Sequence, residues 1–490
     1  MRVSRKSGLA LSVALLISAC TSPQQVAKFA DPKAAFAPVS DSGRKVLGKD
    51  TALLMDVPAI EANAKRVHAM VQGKTLDADT AVQVALLNNR GLQAAYAQLG
   101  VSSAEAWQSV MMPNPVVSIG VLGINADGVG AFRSIEGVIA NNLLAAFTQE
   151  GRSHAADVKF RQAQLTAVEK TLSVAVDTRR AWVDAVAAFE AAGLIREAQG
   201  TADAASELAA RLGDTGYLNK ADQAREHAFY AELTGQRAQA KLAATLAKEA
   251  LTRQMGLWGQ DVTYFVPNAL PRLPGQVKSR PHIERDALKS RVDLAIARLD
   301  LDSMAKARGM TEATRYVTDL ELVVGAELER ENDGGGIETK TTPQVELDFA
   351  IPIFDSGKAR LKRAEAAYML AAHQLAERAV NVRSEARAAH ASYLGTHQIA
   401  RHYRNAVLPL RQTIEEEALL SYNGMITNTF ELLADTRARL NSNLTEASAR
   451  RDFWQAEANL VAAVHGGGGG GAGSGGDTQA SVAGDGSGGH

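Results

Sequence analysis

The sequence predicts a mainly α-helical chain of long coiled hairpins, with four strands in two pairs and an internal duplication. Three observations carry this. No proline falls between Pro115 and Pro267, so nothing there removes a backbone donor from a continuing helix. Apolar residues recur at alternating three- and four-residue spacing, as in Leu165, Val168, Leu172, Ala175, Trp182, Val186 and Phe189. A sustained period near 3.5 marks helices that coil about neighbours. The order of features in the first half returns in the second at an offset of about 200 residues, far longer than the unit of a solenoid array.

The chain opens with a basic stretch (Arg2, Arg5, Lys6) and an apolar run over 9–19. This is the pattern of a secretory signal, 1–19, too short to span a bilayer. The run ends Leu16-Ile17-Ser18-Ala19-Cys20, which resembles the lipobox of bacterial lipoproteins. The resemblance implies cleavage before Cys20 and a covalent lipid on it. Thr21 in place of aspartate implies retention in the outer membrane. Cys20 is the only cysteine, which excludes an intramolecular disulfide framework and a cysteine-built zinc site. Residues 21–48 have mixed polarity and no period. They read as an extended tether within a lipid-anchored N-terminal segment, 20–69.

The first repeat, 70–266, and the second, 267–465, share one order: helix, strand, strand, long helix, long helix. The Ala/Leu-rich helical stretches are 92–99 and 294–301. The first strands are 116–124 and 320–328, followed by Gly-containing loops at 125–128 and 332–336. The second strands lie near 133–140 and 344–353. From Val345 apolar and polar residues alternate as far as Ala350, the signal of a strand with one wet face. Residues 153–212 make about 90 Å of helix at about 1.5 Å per residue, a rod rather than the shell of a compact core. The final helix repeats the stripe with Leu433, Leu440, Leu444, Ala447, Trp454, Ala458 and Val461. Arg179, Arg437 and Arg451 occupy skipped positions of the two stripes. Gly213-Asp214-Thr215-Gly216 and Asn423-Gly424 are turn chemistry, so each long region folds back as a hairpin with a tip. Pro409 should kink or split its helix. The Gly-rich tail, 466–490, should be disordered.

Several functions are excluded. A formal net charge of −1 argues against bulk attraction to nucleic acid. No internal run reaches the ~18–20 apolar residues of a membrane helix, so any crossing of a bilayer falls to strands. Four strands cannot close a barrel, so a membrane role demands several copies. No GxSxG, HExxH or Walker A pattern is present, and an enzyme is not expected. His465 and His490 bracket the tail without clustered partners, a poor metal ligand set. His282, His373, His390, His397 and His402 are scattered and read as surface positions.

The chain resembles the TolC-like outer-membrane efflux family over roughly 70–465. Met112-Pro113-Asn114-Pro115 is similar to the family's motif before the first strand. Pro352-Ile353-Phe354-Asp355-Ser356-Gly357 is similar to the one that ends the last strand. Gly424 with Phe430-Glu431-Leu432-Leu433 and Asp435 resembles its hairpin tip, though Ala434-Asp435 reverses the usual order. The resemblance implies a homotrimer with a shared twelve-stranded β-barrel continued by a hollow periplasmic α-barrel. It implies a passive exit duct working with a periplasmic adaptor and an inner-membrane pump, and no cofactor beyond the lipid at Cys20.

Asp214, Glu431 and Asp435 sit at or just past the tips. In a symmetric tube such carboxylates form rings that select cations or hold a gate. Asp214 and Thr215 are equally good N-cap types. Glu431 and Asp435 are four apart and share a face. Leu212, Gly213, Tyr217, Asn423, Gly424 and Met425 also lie at the tips. The resemblance implies adaptor docking there, and simple turn packing accounts for them as well. The rival reading is a periplasmic coiled-coil lipoprotein acting as adaptor or scaffold without a pore. Two hairpins and two strand pairs argue against it.

Overall fold

The computed structural model describes residues 28–125, 129, 131–216, 219–332, 336–423 and 429–468. The signal, Cys20, most of the tail, and the greater part of the loops at 125–128 and 332–336 lie outside the described residues.

Among the described residues four helices come first: α1 (Pro32–Ser42), α2 (Val57–Val71), α3 (Ala78–Asn88) and α4 (Arg90–Val110). Each starts where an Asp or Asn side chain accepts a backbone N–H of the first turn: Asp31, Asp56, Asp77 and Asn89. That satisfies donors the helix cannot pair internally. After α4 the Met112–Pro115 stretch runs extended, since residues before proline avoid the helical region. It leads into β1 (Val116–Leu122) and β2 (Ser134–Asn142). A short α5 (Leu143–Phe147) precedes α6 (Gln149–Asp214), a single helix of 66 residues, and α7 (Lys220–Met255) returns alongside it.

The second repeat runs α8 (Ile283–Ser290), α9 (Val292–Ala313), β3 (Leu320–Asn332), β4 (Ile337–Phe349) and α10 (Lys358–His402). A π-turn at Tyr403–Val407 joins α10 to α11 (Leu408–Asn423), and α12 (Thr429–His465) returns. The split expected at Pro409 is this π-turn. Proline has no N–H for the carbonyl four residues back, and its ring crowds that carbonyl, so the preceding turn widens.

All four strands join one antiparallel sheet in the order β1-β2-β3-β4. β4 begins at Ile337, well before the expected 344. Its early part, Glu338 to Thr342, is polar throughout and shows no alternation, yet every residue pairs with β3. Ile351 and Ile353 fall beyond the strand.

The extended-tether expectation for 21–48 fails over its described part. Residues 28–30, α1 and a π-turn at Gly43–Leu47 make it helical. Phe29, Phe36 and Val39 are buried; Phe29 meets the Phe160 ring at 5.2 Å and Phe36 meets Tyr96 at 4.8 Å. Ser103 Oγ donates to Phe29 O at 2.6 Å and Gln164 Nε2 to Ala35 O at 2.9 Å. Three apolar anchors suffice to dock the stretch on α4 and α6, although they are too few to show a period.

α6 is the spine. Its expected stripe is buried at Leu172, Ala175, Trp182 and Val186, and a second stripe at Thr171, Val174, Thr178 and Ala185 is buried too. The helix therefore packs on several sides. Tyr96 and Thr171 hydroxyls share a hydrogen bond of 2.9 Å, and Trp182 Nε1 donates to Leu76 O at 2.8 Å. A separate core holds the second repeat, with Ile283, Leu294, Val382 and Leu460.

The connection between repeats, 256–282, crosses three helices as a strap. Leu270 N donates to Glu190 Oε2 on α6 at 3.1 Å, and Trp454 Nε1 on α12 donates to Pro271 O at 3.2 Å. On α10, His397 Nε2 bonds Pro274 O at 2.9 Å, and His390 Nε2 accepts from Arg280 N at 3.1 Å. His397 is thus no surface residue. It is 3% exposed and lies against Phe453, ring centroids 5.4 Å apart, because the strap covers it.

Candidate channel wall and helical tips

Alternation along each strand sorts side chains onto two faces, and the register adds the faces up. One face is apolar. Val117 and Ile119 on β1, Ile135 and Ile139 on β2, Leu322 and Val324 on β3, and Val345, Leu347 and Phe349 on β4 share it. Among the described residues it lies largely open: Ile119 is 74% exposed and Val345 71%. The other face carries Glu136, Glu321, Glu327, Glu329, Glu331, Glu338, Glu346 and Asp348, with Lys340 the one base on it among the described residues. Glu136 stands directly opposite Glu327, Glu321 opposite Asp348, and Glu331 opposite Glu338. Like charges so placed repel, and the sheet holds them because that face is wet. Gln344 Nε2 donates to Glu136 Oε1 at 2.5 Å.

Among the described residues β1 and β4 are the edges, and neither has a strand partner on its outer side. Below the sheet the chain turns through the Pro352–Gly357 motif. Gly357 has φ of 69° and caps α10; a β-carbon there would lie 2.8 Å from Arg315 O. Asp355 Oδ1 accepts from Gly357 N at 2.8 Å, and Arg315 Nε donates to Ser356 O at 2.8 Å. The motif is thus a tight turn that only glycine closes. It leaves Ile351, Ile353 and Phe354 exposed at the foot of the sheet, as Phe147 is in the first repeat.

At the other end α6 stops at Asp214. The capping alternative for Asp214 and Thr215 does not hold. Asp214 is the last residue of α6 and Thr215 its C-cap; α7 is capped by Asn219, which accepts from Asp222 N at 2.9 Å. Asp214 is exposed at a helix C-terminus, where backbone carbonyls already concentrate negative charge. Gly213, half-buried, faces Gln223 so closely that a β-carbon would overlap its side chain. Asn423 ends α11. Tyr217, Gly424 and Met425, and the side chains of Leu212, Asn423 and Glu431, lie outside the described residues. Glu431 and Asp435 do share α12, and Asp435 is half-buried.

Near the tip α12 lies against both helices of the first hairpin. Leu440 packs with Ala202, Phe229 and Leu233. Arg437, a skipped position in the sequence stripe, lays its guanidinium 3.8 Å above the Phe229 ring, a favourable cation–π placement. Glu226 is buried beside them; burial pushes its carboxyl up, and Arg437 offsets this in part. Sequence reasoning missed this contact and the acidic face. The only signal for either was the short alternation in β4 and an arginine interrupting an apolar stripe.

No protein-family model and no curated protein sequence matches the chain. Solved structures do. The chain is similar to CusC, a transmembrane channel, with a TM-score of 0.66 over 80% of this chain and 94% of that one, at 17% identity. For the outer-membrane channel OprN the TM-score is 0.65 over 85% and 97%, at 18% identity. For the outer-membrane protein VceC of Vibrio cholerae it is 0.63 over 79% and 96%, at 16% identity. The chain has the fold of the TolC-like outer-membrane channels.

Proposed function

We propose that this protein is the outer-membrane exit duct of a tripartite efflux or secretion system. One observation carries the reading: a sheet with an apolar face, an acidic face and two open edges, set on helices about 100 Å long. Open edges leave backbone groups unpaired in lipid, at several kcal/mol each, so spanning structures close on themselves. Copies joining β4 to the next β1 would close the barrel, lipid outside and carboxylates lining the lumen. A homotrimer gives the twelve strands the family resemblance implies. The paired hairpins would continue the tube through the periplasm. Asp214, Glu431 and Asp435 would ring its closed end, and the tips would meet an adaptor and, through it, an inner-membrane pump. Transport is passive in this protein, and the pump supplies the energy.

Anchoring through a lipid on Cys20 fits the same geometry. Lys28 pairs with Asp157, about 12 Å along α6 from its start beneath the sheet. The stretch from Cys20 to Lys28 spans up to about 27 Å. A lipid on Cys20 would be within reach of the membrane boundary.

The test joins edges of different copies. Ile119→Cys is combined in turn with Val345→Cys, Leu347→Cys and Phe349→Cys on the same face, in outer-membrane fractions with Cys20 kept, since the lipid on it would occupy the one native thiol. At least one combination should cross-link into closed oligomers of three chains, while Ile119→Cys with Glu346→Cys should not. Monomers released by mild washing, with no cross-link from any combination, would replace the duct with the scaffold reading.

A further inference from the structure

Beneath the seam between β2 and β3 the two repeats leave a pocket. Its walls are α5 and the first turns of α6 on one side, and the last turns of α9 with the start of β3 on the other. The cavity holds about 630 Å³, within the ~300–1,000 Å³ of small-molecule sites. The seam above it is closed within the chain, so the pocket lies away from the open edges at which other copies would pair. The end nearer the sheet is apolar, with Leu144, Phe147, Val317 and Leu320. Phe147 and Val317 are exposed there. Leu320 pairs with Phe349 and stands two residues before Leu322, so alternation puts it on the apolar face of the sheet. The pocket is the lower margin of that face.

The end away from the sheet is polar. His154 stands more than a turn into α6, and Lys306 lies two turns before the end of α9. Lys306 Nζ can only donate, so His154 Nε2 accepts from it. The ring's proton is then on Nδ1, which is buried and has no hydrogen-bond partner among the described residues. A buried donor left unmet is costly. Asp302 is 3.8 Å from Lys306 Nζ and 3.8 Å from His154 Nε2, too far to hydrogen-bond either, so Lys306 keeps hydrogens to donate. Glu150 is exposed on the same rim and has no ion-pair partner among the described residues. It precedes His154 by four residues and shares its face, with about 5–6 Å between β-carbons. The rim thus sets two donors for an anion beside one carboxylate for a cation.

We propose that this pocket seats one glycerophospholipid of the periplasmic leaflet, with an ethanolamine headgroup. An acyl chain lies against Phe147, Val317 and Leu320. The phosphate takes the Lys306 ammonium and the His154 Nδ1–H, and the ethanolamine ammonium meets Glu150. This rests on the reading of the sheet as a membrane wall. Two features select a lipid over a soluble ligand. The apolar wall continues into the apolar face of the sheet, and the pocket's polarity runs as a lipid of that leaflet does, tail towards the sheet and head towards the helices. Charge selects the headgroup. An anionic headgroup without an amine leaves Glu150 facing phosphate uncompensated, and a choline ammonium has no N–H to give it. The adjoining groove is lined by Lys28 and Phe29 and shares Phe147, Glu150 and His154 with the pocket, so a lipid on the chain's own N-terminal segment is the rival occupant.

A photo-reactive benzoylphenylalanine in place of Ala313, which lines the pocket, is irradiated in outer-membrane fractions with Cys20 kept. The mass of the labelled peptide should show an attached ethanolamine phospholipid. The same photo-reactive residue in place of Val345, on the open apolar face, should capture lipid of any headgroup. The affinity is read on the purified assembled protein in detergent, titrated with dioleoyl-phosphatidylethanolamine or dioleoyl-phosphatidylglycerol and followed by native mass spectrometry. Lys306→Gln should weaken binding of the ethanolamine lipid by about tenfold, the loss of one charge-assisted hydrogen bond. His154→Phe removes the other donor from the facing helix, so the result does not hang on the folding of one variant. Glu150→Gln should erase the preference over the glycerol headgroup. Capture of the chain's own N-terminal lipid at 313, equal affinity of the parent protein for both headgroups, or affinity untouched by Lys306→Gln and His154→Phe would each overturn the site. Lipid captured at 345 but none at 313 removes the pocket and keeps the duct. No lipid at either residue removes both.

Discussion

At the scale of the residue, charge placement is the most informative feature. Glu136 and Glu327 face each other across two strands, a pairing that costs stability and would have no purpose on a surface already soluble. Lining a lumen, the same carboxylates raise the local cation concentration and repel anions. Glu136→Gln with Glu327→Gln should lower the ratio of cation to anion permeability, read as a shift of reversal potential towards zero in asymmetric salt. An unmoved potential would take these residues out of the conduction path. Glu446 gives a second, independent prediction. Burial holds its carboxyl above the ordinary value of 4.5, with Arg450 opposing. The folded chain then binds that proton more tightly than the unfolded chain does. Its contribution is most favourable below pH 4.5 and is lost as pH rises through the folded value. Glu446→Gln should therefore gain thermal stability relative to the parent as pH rises above the ordinary value of 4.5. A melting-temperature gap that does not widen over that range would mean that the carboxyl is not raised.

At the scale of the element, the strands and the helices were legible to different degrees. The long helices announce themselves because a 3.5-residue period repeated many times averages out local exceptions. The second stripe of α6 was hidden because its Thr171 and Thr178 look polar, yet their hydroxyls bond carbonyls one turn back and are buried whole. The strands were found from short alternations, and β4 was found only from Gln344 onward, where its apolar residues begin. Assigning its faces needed the register, since the acids it joins come from residues far apart in the chain. Face assignment is directly testable. Val345→Arg puts a charge on the lipid side, which costs about 2–4 kcal/mol near mid-membrane, and should reduce folded, outer-membrane-inserted protein in fractionation. Glu346→Arg, one residue on, points to the wet side and should insert normally. Equal loss from both would mean that the two faces are not what they seem.

At the scale of the whole molecule, the duplication explains why the chain has this shape. Each repeat supplies two strands and a hairpin, and one seam between repeats, β2 with β3, is closed within the chain. The other seam is left open at β1 and β4. The order of elements and the two hairpins were readable from the sequence because duplication states them twice. The strap was not, because its pins are backbone groups of Leu270, Pro271 and Pro274, and backbone groups leave no mark in composition. Nor was the docking of 28–48, whose Phe29 and Phe36 meet the rings of Phe160 and Tyr96, far along the chain.

The two open edges have a genetic consequence. If copies close the sheet as proposed, a chain with a sound β4 and a spoiled β1 would join a ring from one side and then offer the next chain nothing to pair with. Such an allele, expressed beside the normal one, would consume good chains in dead-end assemblies. It would behave as dominant, whereas an allele that fails to fold at all would be recessive.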